Sequence, residues 1–238
     1  MGISQGQIKD LIGDKENIVI FEVGCADGRD SKTFLNTFGD NLKLYTFDPE
    51  PVNARLVTTL GSEDAFGGSN DQLITDERHK FTHCALCDYT GTIVFNRSRT
   101  VDGPGNGYEW GRYSGSIRRP VTYTESPKYG KRWPQSVFEE TVEVDCTTID
   151  DFCEKNNIDH IDFLWMDTQG AEREVLTGAK KMLKNISFIY TEYYDEEMYE
   201  NCAGLSEIKE ILSEFELTND WRYGDADGGD ALFKKIVP

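Results

Sequence analysis

Apolar and polar positions alternate along this chain in blocks whose period switches between that of a strand and that of a helix. Ile18-Val19-Ile20-Phe21-Glu22-Val23 is a near-continuous apolar run, the signature of a strand buried on both faces. It predicts a strand at 18–23. Phe34, Leu35 and Phe38 then recur at helical spacing, predicting a helix over 30–38 with Asp30 as its cap. A strand at 42–48 follows, and then a helix over 51–60. That helix starts on Pro51, packs through Val52, Leu56, Val57 and Leu60, and ends at Gly61. An N-terminal helix is expected near 3–13.

Farther on, the pattern predicts a strand at 80–86 and a hairpin through Asp88-Tyr89-Thr90-Gly91 into 92–96. Strand 139–146 precedes helix 148–157, opened by a capping-box-like Thr148-x-x-Asp151. Strand 161–166 ends at Asp167, and a helix runs from Gly170 to Leu183. Strand 186–192 and a helix through Leu205, Ile208, Ile211, Leu212 and Phe215 come next. Two last strands, near 215–223 and 230–236, read as a hairpin. Alternating strands and helices imply an α/β protein: a mostly parallel sheet with helices on both faces, closed by a C-terminal antiparallel hairpin. The chain reads as one domain over 1–238.

Between 97 and 136 the periodicity vanishes in favour of Gly, Pro, Arg and aromatic residues. A patternless stretch of that length inside a compact domain is usually functional or disordered, and its Tyr and Trp content argues for function. It is expected to be an inserted lid or substrate-binding segment, with Tyr108, Trp110, Arg112, Tyr113 and Arg118 as acceptor contacts.

Charge narrows the partners. The formal net charge of −18 opposes nonspecific binding to nucleic acid or an anionic membrane. Residues 97–132 nevertheless hold eight basic against three acidic side chains, so a small acceptor that is anionic or carries sugar is expected there. No apolar run approaches the ~20 residues of a membrane span, and no signal-peptide core opens the chain, so a soluble cytoplasmic protein is expected. Homo-oligomer formation stays open. Six scattered cysteines show no zinc-ligand spacing and read as buried small hydrophobes.

The chemistry gathers at strand ends. Glu22-x-Gly24-Cys25-Ala26-x-Gly28 lets backbone N–H groups approach a ligand, because the turn carries little side chain. About 20 residues on, Asp48-Pro49 ends the second strand, where a carboxylate can accept both hydroxyls of a ribose. Capping of the next helix is the simpler role for Asp48. Asp167-Thr168-Gln169-Gly170-Ala171-Glu172 closes a third strand over the same end of the sheet. Asp167 could act as general base, orient the acceptor or hold a divalent ion; His83 and Glu192 are the other candidate bases, and Glu172 suits the first helical turn. The candidate cofactor contacts are Glu22, Gly24, Cys25, Ala26, Gly28, Asp48, Pro49, Cys84, Ala85 and Asp167, with Gln169 added on the acceptor side.

These residues resemble the FkbM family of S-adenosylmethionine-dependent methyltransferases. The resemblance is carried by Phe21-Glu22-Val23-Gly24-Cys25-Ala26-Asp27-Gly28, Phe47-Asp48-Pro49, Ala85-Leu86-Cys87-Asp88 and Ser114-Gly115-Ser116-Ile117. Its most specific part is Thr148–Phe152 running into Ile161–Glu172, then Val175-Leu176-x-Gly178-Ala179. It implies the Rossmann-like class I methyltransferase fold with seven strands, S-adenosylmethionine as cofactor, and methyl transfer to a hydroxyl, commonly of a sugar or polyketide-derived acceptor. Asp48, Trp165 and Gln169 depart from the Glu, Lys and Glu that the family often carries there, which puts the roles of those charges in question. Two further readings use parts of the same pattern: a nicotinamide-dependent oxidoreductase and a non-catalytic methyltransferase-like binding protein.

Overall fold

A computed structural model describes residues 2–60, 74–100, 113–121, 136–223 and 228–236. In chain order the elements are α1 (Gln5–Ile12), β1 (Ile18–Val23), α2 (Arg29–Phe38), β2 (Leu42–Phe47), α3 (Pro51–Arg55), β3 (His79–Thr82), β4 (Ala85–Leu86), β5 (Gly91–Thr100) and β6 (Ser136–Thr147). Then come α4 (Ile149–Asn156), β7 (Ile161–Met166), α5 (Glu172–Thr177), β8 (Ile186–Tyr194), α6 (Leu205–Ile211), β9 (Phe215–Arg222) and β10 (Gly228–Lys235).

Seven strands form one sheet in the order β3-β2-β1-β7-β8-β10-β9, parallel except for β10, which runs antiparallel to both its neighbours. All six residues of β1 are buried, as its apolar run requires of a central strand. Its alternate side chains feed two cores. Val19, Phe21 and Val23 pack with residues of α4, α5 and α6, while Ile18 and Ile20 pack with Ile8 of α1 and Phe34, Leu35 and Phe38 of α2. The expected helix-covered sheet with its C-terminal antiparallel strands is therefore present. No helix among the described residues is long and apolar enough to cross a membrane.

Several expectations need correction. The strand expected at 80–86 is two: β3 joins the main sheet and β4 leaves it for a second, three-stranded sheet ordered β4-β6-β5. The hairpin expected through residues 88–91 does not form, because β5 pairs antiparallel with β6 and β4 pairs parallel with β6. Gly28, in left-handed backbone, takes the N-cap position of α2 that was assigned to Asp30. The helix expected over 51–60 is α-helical only to Arg55 and continues as a π turn over Leu56–Leu60. The helix expected from Gly170 to Leu183 is α-helical only over Glu172–Thr177, with a separate 3-10 turn at Met182–Asn185. Thr148 does cap α4 through Asp151 N at 2.9 Å, but the Asp151 carboxylate takes the Thr90 hydroxyl instead of closing a box.

Candidate active site

The carboxyl ends of β1, β2 and β7 are tied together by backbone bonds. Gly24 N and Cys25 N both donate to Phe47 O, at 2.9 and 3.1 Å, and Asp167 N donates to Val23 O at 2.9 Å. Gly24 has φ +85°, and a Cβ there would stand 1.9 Å from the Asp167 carbonyl oxygen. Only glycine meets both demands. Ala26 also adopts left-handed backbone, and its N–H reaches Asp48 Oδ2 at 2.8 Å.

These strand ends floor a cleft of about 610 Å³, within the range of small-molecule sites. Glu22, Gly24, Cys25, Ala26, Asp48, Pro49, Cys84, Ala85 and Asp167 all line it. Gly28 does not; its work is at the start of α2. Phe95 of β5 and Tyr113, Gly115 and Ile117 of segment 113–121 also line the cleft, as do Asp27, Asp30, Trp165 and Gln169. The Tyr113 hydroxyl donates to Asp27 Oδ2 at 3.1 Å, linking that segment to the turn after β1. Sequence reading missed Asp27 and Asp30 as lining residues. Asp27 stood inside the turn already singled out, so position alone could have included it.

Asp48 lines the cleft and braces the loop before α3, whose N-cap is Glu50, accepting Val52 N at 3.2 Å, and not Asp48. Its Oδ1 accepts Glu50 N at 2.9 Å and Asn53 Nδ2 at 3.2 Å, while among the described residues Oδ2 accepts only Ala26 N. A carboxylate offers about four acceptor positions, so one remains, on Oδ2. Protein groups thus already engage both oxygens of the carboxylate expected to meet a ribose. Burial raises the Asp48 carboxyl to about 7, against the backbone N–H groups of Glu50 and Ala26 that favour its charge. Burial likewise pushes Glu22 well above the usual carboxylate range, with the Ser31 hydroxyl opposing it at 2.5 Å.

At the other wall, Gln169 Nε2 donates to Asp167 Oδ1 at 2.6 Å and to Glu192 Oε2 at 2.9 Å. Desolvation by the surrounding protein raises both carboxyls, and the charge of Asp167 raises Glu192 further. Glu172 is fully buried in the first turn of α5 and accepts from Thr168 N, Thr168 Oγ1 and Gly170 N, so it braces the loop that carries Asp167.

Other expected site residues lie elsewhere. His83 is exposed, outside the cleft lining, with Nε2 at 3.1 Å from the Pro49 carbonyl oxygen. Arg118 is not among the lining residues either; its guanidinium is spent on Glu174 and on the Glu200 carbonyl. Tyr108, Trp110 and Arg112 fall outside the described residues. Arg97 pairs with Glu50 and Glu140, and Arg119 with Glu200. The described lining is consequently acidic, with Glu22, Asp27, Asp30, Asp48 and Asp167 against Arg29. No group of three or more His, Cys, Asp or Glu placed to hold a metal occurs among the described residues.

A sequence model described as the methyltransferase FkbM domain matches residues 22–224. The chain is 33% identical over 229 residues to 2-O-methyltransferase NoeI of Sinorhizobium fredii (strain NBRC 101917 / NGR234), covering 96% of this chain and 83% of that one. Its structure resembles the crystal structure of methyltransferase FkbM from Methylobacillus flagellatus KT with a TM-score of 0.54 at 13% identity. That match takes in 97% of this chain but 48% of the other, so the chain spans about half of that protein. At such identity the likeness concerns the fold alone.

Proposed function

We propose, from the premise that this chain belongs to the FkbM methyltransferase family, that it transfers a methyl group to a hydroxyl of a sugar or glycoconjugate. Membership makes the protein an S-adenosylmethionine-dependent methyltransferase and displaces the nicotinamide alternative. The residues present fit that cofactor. The cleft has the volume for it, the turn at Gly24–Ala26 leaves room beside the backbone, and the acidic lining suits a ligand that is cationic overall. The Glu22–Ala26 turn would face its methionine portion, Asp48 its ribose, and Cys84 and Ala85 its base.

The cofactor supplies a methyl carbon already made electrophilic by a sulfonium sulfur. What the chain must add is alignment and a destination for one proton. Asp167 lines the cleft beside the Gly24 turn, so its carboxylate can take the acceptor's hydroxyl proton as the new carbon–oxygen bond forms and the carbon–sulfur bond breaks. That juxtaposition of base and cofactor turn in one cleft is the observation that carries the reading. Transfer to oxygen is supported by the similarity to 2-O-methyltransferase NoeI. We assign segment 113–121 to the acceptor side, since Tyr113, Gly115 and Ile117 line the cleft. Of the anionic or sugar-bearing acceptors expected from the sequence, Asp27 and Asp167 in the same lining favour a neutral sugar hydroxyl.

The test is methyl-labelled S-adenosylmethionine with a panel of hydroxyl-bearing saccharides, the product located by mass spectrometry. Label on oxygen is expected. Asp167→Asn should slow turnover about 10²–10⁴-fold while S-adenosylhomocysteine affinity stays within a few-fold. Label on nitrogen or carbon, or a fully active variant, would overturn the proposal.

A further inference from the structure

Gln169 sits in left-handed backbone at φ 55°, a conformation a non-glycine residue keeps only when its surroundings hold it there. Its own amide does the holding. Nε2 divides its two hydrogens between Asp167 and Glu192. Oε1 accepts the Tyr199 hydroxyl at 2.8 Å and lies 3.5 Å from the Tyr194 hydroxyl. Both donors of the amide are therefore taken by protein groups and its oxygen is engaged by Tyr199, while the Tyr194 hydrogen goes to Glu192 at 2.6 Å. An amide so engaged has little left for the acceptor, which was its expected partner.

The network extends on both sides. Glu192 accepts Tyr194 Oη at 2.6 Å, and the single hydroxyl hydrogen of Tyr223 has two acceptors in reach: Asp230 Oδ1 at 2.7 Å and Glu192 Oε1 at 3.1 Å. On the other side, the single hydroxyl hydrogen of Tyr199 has two acceptors in reach: Gln169 Oε1, and the Ser114 carbonyl at 2.9 Å. Ser114 belongs to segment 113–121, which lines the cleft through Tyr113, Gly115 and Ile117. That segment is fastened to the 198–200 stretch by Val121 N to Met198 O and Glu200 N to Arg119 O, at 3.0 and 2.8 Å.

We propose that Gln169 is a positioning residue: it aims Asp167 and holds Asp167 and Glu192 as a pair carrying one proton between them, while Tyr199 couples that pair to segment 113–121. The inference rests on the reading of Asp167 as base. Two carboxyls bridged by one nitrogen cannot readily both ionise. The titratable groups around them add no relief: Asp230 and Tyr223 near the C-terminal strands, Tyr190 and Tyr194 on β8, Glu172 on α5, Asp30 on α2 and Tyr199. The amide hydrogens favour the charged form of Asp167. Removing them leaves the pair holding its protons to higher pH.

Gln169→Leu and Tyr199→Phe test this by two independent readouts. The first needs no turnover: side-chain carboxyl resonances are followed against pH by carbon-13 NMR in the cofactor-free protein, with Asp167→Asn supplying the assignment. In Gln169→Leu the Asp167 titration should move up by about half a pH unit or more, and in Tyr199→Phe less, in the same direction. The second is kinetic. Gln169→Leu should lower kcat about tenfold or more, shift the ascending limb of its pH profile upward, and leave S-adenosylhomocysteine Kd within about twofold. An unmoved Asp167 titration in a folded variant overturns the proposal. So does a rise in acceptor KM alone, which would return Gln169 to the acceptor. Should Gln169→Leu fail to fold, as a thermal melt would show, Tyr199→Phe removes only one hydroxyl and carries the titration test. A shifted Asp167 titration in Gln169→Leu, alongside a wild-type protein that methylates no hydroxyl, would sink the function reading and leave the coupling of the pair standing.

Discussion

At the scale of single residues, Asp48 shows how the fold engages a carboxylate that position alone assigns to a ligand. Position named it: an acidic residue ending the second strand some twenty residues after a glycine turn. Position could not say how its oxygens are shared, because that depends on Ala26, Glu50 and Asn53 meeting in space. With one acceptor position left, its bond to a ribose hydroxyl should contribute about 1.5–3 kcal/mol. Asp48→Ala should therefore weaken S-adenosylhomocysteine binding roughly ten- to a hundredfold by calorimetry, and Asp48→Asn less, since the amide oxygen still accepts. The carboxyl, raised to about 7 by burial, accepts best when ionised, so affinity in the wild type should climb between pH 6 and 8. A flat profile would show that Asp48 meets no ligand hydroxyl. The Gln169 network was not visible in the sequence at all. Its partners Glu192 and Tyr199 lie 23 and 30 residues away, on elements no local pattern joins to β7.

Elements were read well where one face or both are buried, and poorly where a long-range partner decides. The β1, β2, β7 and β8 runs could be placed because a central parallel strand must be apolar on both sides. The second sheet could not. The two residues of β4 pair with β6 across some sixty residues, and no spacing records that. Segment 113–121 depends in the same way on remote groups, chiefly the ion pair of Arg118 with Glu174. Both side chains are mostly buried, at 17% and 15% exposure, so removing one leaves its partner poorly solvated. Arg118→Ala should cost about 2 kcal/mol in urea unfolding, below the range for a fully buried pair because water still reaches both groups. The double variant with Glu174→Ala should cost little more than the single one. Fully additive losses would mean that the pair contributes nothing and that the segment is held by its backbone bonds alone.

Over the whole molecule, the same acids that line the cleft set how stability responds to pH. A carboxyl whose pKa is raised on folding keeps a proton that the unfolded chain has already lost, so stability falls as pH rises from its unfolded value to its folded one. Asp48 and Glu172, both lifted to about 7 by burial, place that loss between about pH 4 and 7. Glu22 and Glu192, raised well above their ordinary value by burial, add losses of the same sign. One group pulls the other way: burial lowers His79 to about 4, so its contribution grows as pH climbs toward the unfolded value near 6.5 and then stops. Asp76, held down to about 2 by Arg78, gives a contribution that is complete once pH passes its unfolded value near 4, so it adds no slope above about pH 5. Above about pH 6.5 only the losses remain, and the net charge of −18 adds self-repulsion of the same sign. The melting temperature should therefore drop by several degrees between pH 6.5 and 8.5. Moderate salt should recover the part due to surface repulsion and little of the part due to buried carboxyls, because screening acts weakly inside the protein. Saturating S-adenosylhomocysteine should flatten the curve if ligand contact favours the ionised form of Asp48. A melting temperature that rises with pH would mean that these carboxyls are charged in the folded protein, and that the cleft holds more negative charge than its hydrogen bonds account for.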